Sequence, residues 1–410
     1  MLGWHRRAVA VLAGTLVAVS VWPAAGATAP SGTPGISPDT QFTPVTASVL
    51  TEPVPVKASD GQYHLAYELL LTNALPVEVD VDTVEVRDAS SQHVVLSLAG
   101  ADLAANVNPV GIPRAGAPGD PPIASSSTSI VWLDVTAPTR DGIPTTIDHR
   151  VVGTITAGGQ PRPFEAVVLP LRISRDEPVV LGPPLAPGTW LASEGCCANL
   201  THHRHGLAPI NGVLGVPQRF AIDFFRLDDQ NRTWIGDPTD LRSYLSYEQP
   251  TIAAADGTVV VAFDGLPDQP PPEPPPIPPI AETVGNHVIV QVSSGVYLLY
   301  AHMKPGTIEV HVGQRVRRGQ PIGRIGSSGN STTPHLHFQV LTTPTFFPTD
   351  STPFVFDRFE VVGYETERIW DDNVGLQPNG TIPVAPAAPP TRRQRAMPLD
   401  RDVIVFSSTE

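Results

Sequence analysis

The stretch Pro334-His335-Leu336-His337-Phe338 constrains the fold more than any other part of the chain. If it forms a β-strand, His335 and His337 point to one face, because side chains two residues apart share a face of a strand. Leu336 and Phe338 then point into the core. Two imidazoles on one face can bind a divalent cation, or one can bind it while the other transfers protons. The alternative is a pair of exposed strand histidines without a chemical role.

Length and composition predict two folded domains joined by linkers. The chain has 410 residues, of which 41% are hydrophobic, enough for two sizeable cores. Its 47 prolines exceed the average usage of roughly 5% and are concentrated in a few tracts, which is typical of linkers. The formal net charge is −14, from 26 Lys+Arg against 40 Asp+Glu, and this argues against nucleic acid or anionic lipid as a partner.

The N-terminus has the pattern of a secretory signal peptide. Arg6 and Arg7 precede a nearly uninterrupted apolar run over 8–21, and Ala25-Gly26-Ala27 offers a cleavage site between small residues. We therefore expect residues 1–27 to be a signal peptide and the mature protein to be exported, either secreted or periplasmic in the cell envelope. The alternative is an uncleaved N-terminal anchor. No later apolar run is long enough for a membrane span, so we expect no transmembrane anchor in the mature chain, which we expect to be monomeric.

The mature chain is predicted to be all-β, with an immunoglobulin-like β-sandwich followed by a second antiparallel β domain. Residues 28–41 are rich in Pro, Ser, Gly and Thr and are predicted to be a disordered linker. Several short strands separated by polar or glycine turns predict the sandwich over 42–178, a structural or adhesive module. The second domain is predicted over 190–345 with a Pro-rich insertion at 266–281. In the C-terminal extension 346–410, the stretch 402–406 is predicted to be a last strand, and the Pro/Ala tract with Arg392, Arg393 and Arg395 after it is predicted to be a solvated linker.

Cys196 and Cys197 are adjacent near the start of the second domain. Cysteines of exported proteins usually pair, although neighbours pair only through a strained ring. We expect either a vicinal disulfide or two small buried residues. Zinc ligation by these thiols is the third alternative.

Three further sites in the second domain carry metal-ligating side chains. His202, His203 and His205 precede a predicted hairpin with Asn-Gly at its tip. The returning strand carries Asp223 among apolar residues, where a carboxylate is costly to bury unless it is paired or bound to a metal. His302 ends another predicted strand. Such ligands, meeting at one cleft, fit a catalytic zinc site, in which three protein ligands leave a fourth position for water. Bound zinc lowers the pKa of that water to about 7.

Several motifs in the second domain together resemble the lysostaphin/LytM-type zinc metalloendopeptidases, which cut peptides of bacterial peptidoglycan and have the duplicated hybrid motif fold. The resemblance covers roughly residues 190–340. In chain order the motifs are Arg219-Phe220-Ala221-Ile222-Asp223-Phe224, Asp256-Gly257, Gly285-Asn286-His287-Val288, Tyr300-Ala301-His302-Met303, Val312-Gly313, Gly319-Gln320-Pro321-Ile322-Gly323, and Gly326-Ser327-Ser328-Gly329-Asn330-Ser331 before the opening stretch.

The resemblance implies a zinc site and an activity. Asp223 and His337 fall on zinc ligands of the family, and His302 and His335 fall on its catalytic histidines. The expectation is an exported Zn²⁺-dependent endopeptidase that hydrolyses stem or cross-link peptides of peptidoglycan. His335 would act as general base, and His302 would stabilise the oxyanion.

The third ligand departs from the family pattern. The family often has a histidine four residues before the aspartate, where this chain has Arg219. Some members place a longer hairpin between the two ligands. On that pattern His203 is the first candidate. His205, on the same face by strand alternation, is the second, and His202, on the opposite face, is the third.

Two other classes of function remain open. Without a third histidine ligand, the chain would be a non-catalytic peptidoglycan-binding or hydrolase-activating protein with a degenerate site. The other alternative is a structural exported adhesin that uses the β-sandwich. The presence of Asp223, His302, His335 and His337 together favours the enzyme.

Overall fold

Among the described residues, regular secondary structure is almost entirely β-strand, which confirms the predicted all-β class. The computed structural model describes residues 40–111, 123–197, 201–272, 278–367 and 380–407. The predicted signal peptide and most of the linker after it lie outside the described residues. Residues 43–410 form one compact unit. In the described part of the chain, no helix is long and apolar enough to cross a membrane.

The N-terminal part contains two antiparallel sheets. Its elements are β1 (Val45–Val49), β2 (Val56–Lys57), β3 (Tyr63–Asn73), β4 (Val79–Asp88), β5 (Val94–Ala99), α1 (Gly100–Asn106), β6 (Val107–Pro109), β7 (Thr128–Ala137), a 3₁₀ turn (Arg140–Gly142), β8 (Thr146–Ala157) and β9 (Gln160–Arg172). The first sheet has the order β1-β3-β7-β6, with β2 also paired to β3, and the second has the order β5-β4-β8-β9.

The two sheets share one hydrophobic core. Leu65 and Leu69 of β3 belong to the same buried cluster as Val84 of β4 and Val151 of β8. Because alternate residues of a strand point to opposite faces, each sheet contributes one apolar face to this core. The N-terminal part is therefore a β-sandwich. Its immunoglobulin-like topology stays a prediction, as do the domain boundaries at 178, 190 and 345.

The rest of the chain contains the main sheet, which carries the candidate site, and two separate two-stranded sheets. Its elements are β10 (Val179–Leu181), β11 (Gly188–Ser193), α2 (His202–His205), β12 (Ala208–Ile210), β13 (Val213–Gly215), β14 (Ile222–Arg226), a 3₁₀ turn (Leu241–Ser243), β15 (Pro250–Ile252), β16 (Gly257–Phe263), a 3₁₀ turn (Ile280–Glu282), β17 (Asn286–Ser293), β18 (Val296–Met303), β19 (Arg315–Val316), β20 (Pro321–Arg324), β21 (Leu336–Leu341), β22 (Ser351–Thr352), β23 (Phe354–Glu365), β24 (Val384–Ala396) and β25 (Asp402–Phe406). The main sheet has the order β10-β23-β25-β11-β14-β21-β18-β17-β16-β19, with β22 beside β21 and β24 beside β23.

Strand β21 has the alternation that the sequence predicts. Leu336 and Phe338 enter the main hydrophobic cluster, and His337 points to the other face, opposite Asp223 of β14 and Ala301 of β18. That second face is also buried, since His337 is only 2% exposed. The strand is therefore covered on both faces, and the two-histidine face is not an open surface.

The C-terminal segment completes the main sheet. β25 pairs with both β11 and β23, which confirms the predicted last strand at 402–406. The expectation of a solvated linker around Arg392, Arg393 and Arg395 is wrong, because these residues lie in β24, paired with β23. β24 is an outer strand of the sheet, where the ladder tolerates prolines that cannot donate hydrogen bonds.

We expect the packing of β25 to contribute strongly to stability. Ile404 is fully buried in the main cluster, so Ile404→Ala should lower the free energy of unfolding by about 2–5 kcal/mol. Ile280 is 56% exposed, and Ile280→Ala should change it by less than about 0.5 kcal/mol. Urea unfolding followed by tryptophan fluorescence measures both changes. Equal effects of the two substitutions would contradict a docked β25.

Candidate metal and catalytic site

Asp223 is the centre of the site. It lies on β14 between Ser193 of β11 and His337 of β21 and is only 5% exposed. Asp223 Oδ1 is 2.8 Å from His337 Nδ1, and Asp223 Oδ2 lies 3.4 Å from His203 Nε2 and 3.5 Å from His335 Nε2. The structure thus brings both carboxylate oxygens of Asp223 close to predicted site histidines.

Gln339 determines which ring nitrogen of His337 carries the proton. Gln339 Nε2 donates to Pro217 O at 2.9 Å, which turns Gln339 Oε1 towards His337 Nε2 at 2.8 Å. His337 Nε2 must then carry a proton, because a carbonyl oxygen only accepts. In the neutral ring, Nδ1 presents a lone pair to Asp223 Oδ1. His337 Nδ1 and Asp223 Oδ1 are then two hydrogen-bond acceptors 2.8 Å apart. A shared proton or a cation between them stabilises this contact.

His203 presents its Nε2 to the same carboxylate. Thr201 caps the short helix α2, and His203 Nδ1 donates to Glu194 O at 3.0 Å and lies 3.3 Å from Ala221 O. With its proton on Nδ1, the neutral ring has a lone pair on Nε2. This nitrogen is buried and makes no hydrogen bond, and such an orphaned acceptor is the donor atom that a metal requires.

His302 and His335 are oriented in the same manner. His335 Nδ1 donates to Thr333 O at 2.7 Å, and His302 Nδ1 donates to Ser328 O at 2.8 Å. Their ring centroids lie 4.8 Å apart. Each ring therefore has its Nε2 free to accept a proton. The resemblance requires these two histidines to lie together beside the metal site, and the structure brings them together.

His302 has a strained backbone, with φ of 59° in the left-handed region that non-glycine residues rarely adopt. Its own hydrogen bonds fix it there: His302 N donates to Val284 O, and His302 O accepts from Gly326 N. Gly285 lies close by with φ of 62°, and a Cβ on it would be 2.3 Å from Ser328 O. Only glycine at 285 allows the carbonyl of Ser328 to reach the His302 ring.

Burial controls the charges of the site. It lowers the pKa of His203 to about 3, the pKa of His335 below its usual value and the pKa of His302 well below it. For Asp223 burial acts to raise the pKa, but the neighbouring rings of His203, His335 and His337 outweigh it and hold the pKa well below its usual range. Near neutral pH these pKa shifts leave Asp223 ionised and the rings of His203, His302 and His335 neutral.

The other two candidate histidines are placed differently from the prediction. His202–His205 form a helix, so the expected strand alternation between them is wrong. Thr201 accepts a hydrogen bond from Arg204 N, which favours the helical turn over an extended strand. The ring of His205 packs on Trp132 of the sandwich, with centroids 4.6 Å apart. The side chain of His202 is 58% exposed, and its Nδ1 lies 3.0 Å from Glu194 Oε2. One ring nitrogen of His202 nevertheless lies within 4.8 Å of a ring nitrogen of His203 and a carboxylate oxygen of Asp223.

The hairpin after α2 agrees with the sequence. β12 and β13 pair around Asn211 and Gly212, which both have positive φ, as the predicted Asn-Gly turn requires. Cys196 and Cys197 form a disulfide and are buried. Their sulfurs are not thiolates here, so the zinc-thiolate alternative is wrong.

Some residues of the site are absent from the prediction. Gln339 lies two positions after His337 on the same strand face, and this spacing was a usable signal. Glu194, Ser328 and Thr333 act through backbone carbonyls, for which the sequence contains no signal.

Comparisons with known proteins agree with the geometry. Peptidase family M23 matches residues 241–347, which include His302, His335 and His337 and begin after Asp223. Cell division protein DipM of Caulobacter vibrioides is 28% identical over 96 residues, 23% of this chain and 13% of DipM. Glycyl-glycine endopeptidase ALE-1 of Staphylococcus capitis is 45% identical over 58 residues, 14% of this chain and 16% of ALE-1.

The matches cover a small part of both relatives, since this chain spans less than a fifth of the length of either. Among solved structures, the catalytic domain of lysostaphin from Staphylococcus simulans aligns with 35% of this chain and 80% of its own, at 24% identity and a TM-score of 0.22. On the family match, and on homology to the curated relatives, this chain contains a domain of peptidase family M23, the family of the lysostaphin-type peptidases.

Proposed function

We propose that the protein is an exported zinc metalloendopeptidase that hydrolyses peptide bonds in peptidoglycan stem or cross-link peptides. One observation carries the proposal: the carboxylate of Asp223 is surrounded by imidazole lone pairs, with no buried cation among its described contacts. Acceptors gathered in this manner around a buried negative charge are stabilised by a divalent cation, and nitrogen and oxygen donors are ligands that zinc accepts.

We assign the zinc ligands to Asp223, His337 Nδ1 and His203 Nε2. The remaining hydrogen bonds orient these donors, since the second nitrogen of each ligand histidine is held by Gln339 or by the carbonyl of Glu194. Zinc bound there supplies a Lewis acid and a bound water whose pKa is about 7.

His335 and His302 then act on protons. With its proton on Nδ1, the ring of His335 accepts the proton of the attacking water at Nε2 and later delivers it to the leaving amine. His302 stabilises the oxyanion, for which its Nε2 must carry a proton, because its Nδ1 already donates to Ser328 O. The low pKa of His335 keeps its ring neutral before the reaction, as a general base requires. The low pKa of His302 opposes the protonated ring, so His302 takes up its second proton from solvent only as negative charge develops on the substrate oxygen.

The substrate class follows from the family and from the relatives. ALE-1 is by name a glycyl-glycine endopeptidase, and a bond between small residues leaves room at the buried site. The predicted signal peptide at 1–27 supports the proposal that the protein acts outside the cytoplasm. We propose that it acts there as a monomer. The second candidate is a non-catalytic peptidoglycan binder, which has no need for His302 and His335 in the orientation described above.

Asp223→Ala should abolish both zinc binding and hydrolysis, because it removes the one charged ligand. Zinc per chain, measured by atomic absorption on the dialysed protein, should fall from about one to near zero. The matched control is Asp229→Ala, at an exposed position, which should keep both. A zinc content that is the same in the two variants would contradict the ligand role of Asp223.

Substitutions of the three clustered histidines separate the candidates for the third ligand. His203→Ala should lose zinc, whereas His205→Ala, whose ring packs on Trp132, should keep about one zinc per chain. His202→Ala should keep the metal as well, since this side chain is mainly solvated. Loss of zinc in His202→Ala or His205→Ala instead would move the third ligand to that residue.

His335→Ala should keep zinc and lower kcat/KM by about 10²- to 10⁴-fold, because general base catalysis is lost while the ligand set remains. The assay is the release of new amino termini from purified peptidoglycan. The control His311→Ala changes an exposed histidine outside the site. If His335→Ala loses its metal, His335 is a ligand and the assigned role is wrong. If wild type binds zinc and peptidoglycan but cleaves nothing, the non-catalytic binder is the better reading.

A further inference from the structure

Glu68 connects the β-sandwich to the segment that carries the third ligand. It lies on β3 and is 1% exposed. The guanidinium of Arg219 grips it with two nitrogens: Nε donates to both carboxylate oxygens at 2.9 Å, and Nη2 donates to Oε2 at 2.6 Å. Arg204 Nε lies 4.0 Å from Glu68 Oε1 on the other side. One carboxylate of the sandwich therefore faces two buried arginines.

Arg204 fastens this contact with three further hydrogen bonds. Its Nη1 donates to Cys197 O at 2.6 Å, and its Nη2 donates to Leu133 O at 2.6 Å and to Tyr67 O at 3.3 Å. Leu133 and Tyr67 belong to the sandwich, whereas Cys197 precedes the site helix. A planar guanidinium with a fixed set of donors joins such carbonyls in one geometry, which a lysine cannot reproduce.

The residue between these anchors is His203. Arg204 directly follows His203, His205 packs on Trp132 of β7, and Val216 packs in the same cluster as Trp132. Helix α2 has only four residues, too few to be stable by itself. The place of His203 Nε2 beside Asp223 thus depends on neighbours that the sandwich holds.

Arg219 connects the same charge cluster to the segment that leads to Asp223. It lies four residues before Asp223 in the chain, and its Nη1 donates to Asp350 Oδ1 at 2.7 Å. The two arginines and the two carboxylates of Glu68 and Asp350 balance in charge. Removing one member would leave a buried charge without compensation, which is strongly unfavourable.

We infer that Glu68 is a positioning residue of the metal site and that the sandwich is a structural part of that site, not a separate wall-attachment module. Glu68 holds Arg204 and Arg219, and these hold His203 and the start of β14 in the geometry that binds the metal. The inference rests on the proposed ligation of zinc by His203.

The experiment measures the zinc Kd of the full chain by competition with a chromophoric chelator. Glu68→Gln leaves Arg204 beside a neutral amide and Arg219 with Asp350 as its remaining charged partner. It should raise the Kd about 10- to 100-fold, the range found when residues that support metal ligands are lost. The cobalt-substituted variant should also show altered visible bands, because the geometry of His203 changes. The control is Asp148→Asn, which breaks another buried ion pair of the sandwich, with Arg87 at 2.8 Å.

The readings separate the alternatives. Asp148→Asn should lower Tm and leave the zinc Kd and the cobalt bands unchanged. If Glu68→Gln lowers Tm as Asp148→Asn does and leaves Kd unchanged, the inference is overturned. If Glu68→Gln does not fold, Arg204→Lys replaces it. This variant keeps the charge but loses the joint contact with Cys197 O and Leu133 O, so its Kd should rise, and an unchanged Kd overturns the inference. A wild-type chain that binds no zinc contradicts the proposed function itself.

Discussion

The structure depends on a buried carboxylate that has acceptors as neighbours. Asp223 is almost fully enclosed, and burial lowers the pKa of two of the imidazoles that approach it, those of His203 and His335. Neutral imidazoles alone do not compensate a buried negative charge as a cation does. The antiparallel ladder of β14, β21 and β18 fixes Asp223, His337 and the approach to His302 next to one another. Backbone pairing thus assembles the donors, and the electrostatics of the enclosed carboxylate require a positive partner.

A second cluster of buried charges connects the β-sandwich to the site around Asp223. Glu68, Arg204 and Arg219 are all about 1% exposed. Charged groups are buried at this level only when opposite charges and hydrogen bonds compensate the loss of their hydration. The contact between Arg219 and Glu68 joins residues 151 positions apart, so this cluster couples the sandwich to the site. The segment 203–223 carries members of both clusters at each end, His203 and Arg204 at its start and Arg219 and Asp223 at its end. A disturbance of either cluster therefore acts on the same hairpin.

Local sequence patterns predicted the strands of the site but not the surroundings that tune it. Alternation at Leu336, His337 and Phe338 predicted β21 correctly, and Asn-Gly predicted the hairpin. The same alternation failed at 202–205, where a threonine N-cap stabilises a helical turn instead of a strand. The partners of Arg204 and Arg219 in the sandwich, which are Glu68, Tyr67 and Leu133, were not predictable, because they are far away in sequence. β24 was predicted to be a linker because it is rich in prolines, which are rare in strands that pair on both edges. It pairs only with β23 among the described strands.

The position of Arg219 bears on the proposed place of the third ligand. Arg219 lies four residues before Asp223, where the family that the sequence resembles often has a histidine, and its guanidinium binds Glu68 and Asp350 instead. The proposed third ligand, His203, lies outside the ladder and approaches Asp223 from a four-residue helix. Asp223 and His337 are held by backbone pairing, whereas the described contacts that hold His203 come from carbonyls and neighbouring side chains. On the proposed ligation, the ligand outside the ladder is the one that the sandwich supports, so the sandwich acts on the metal site through His203.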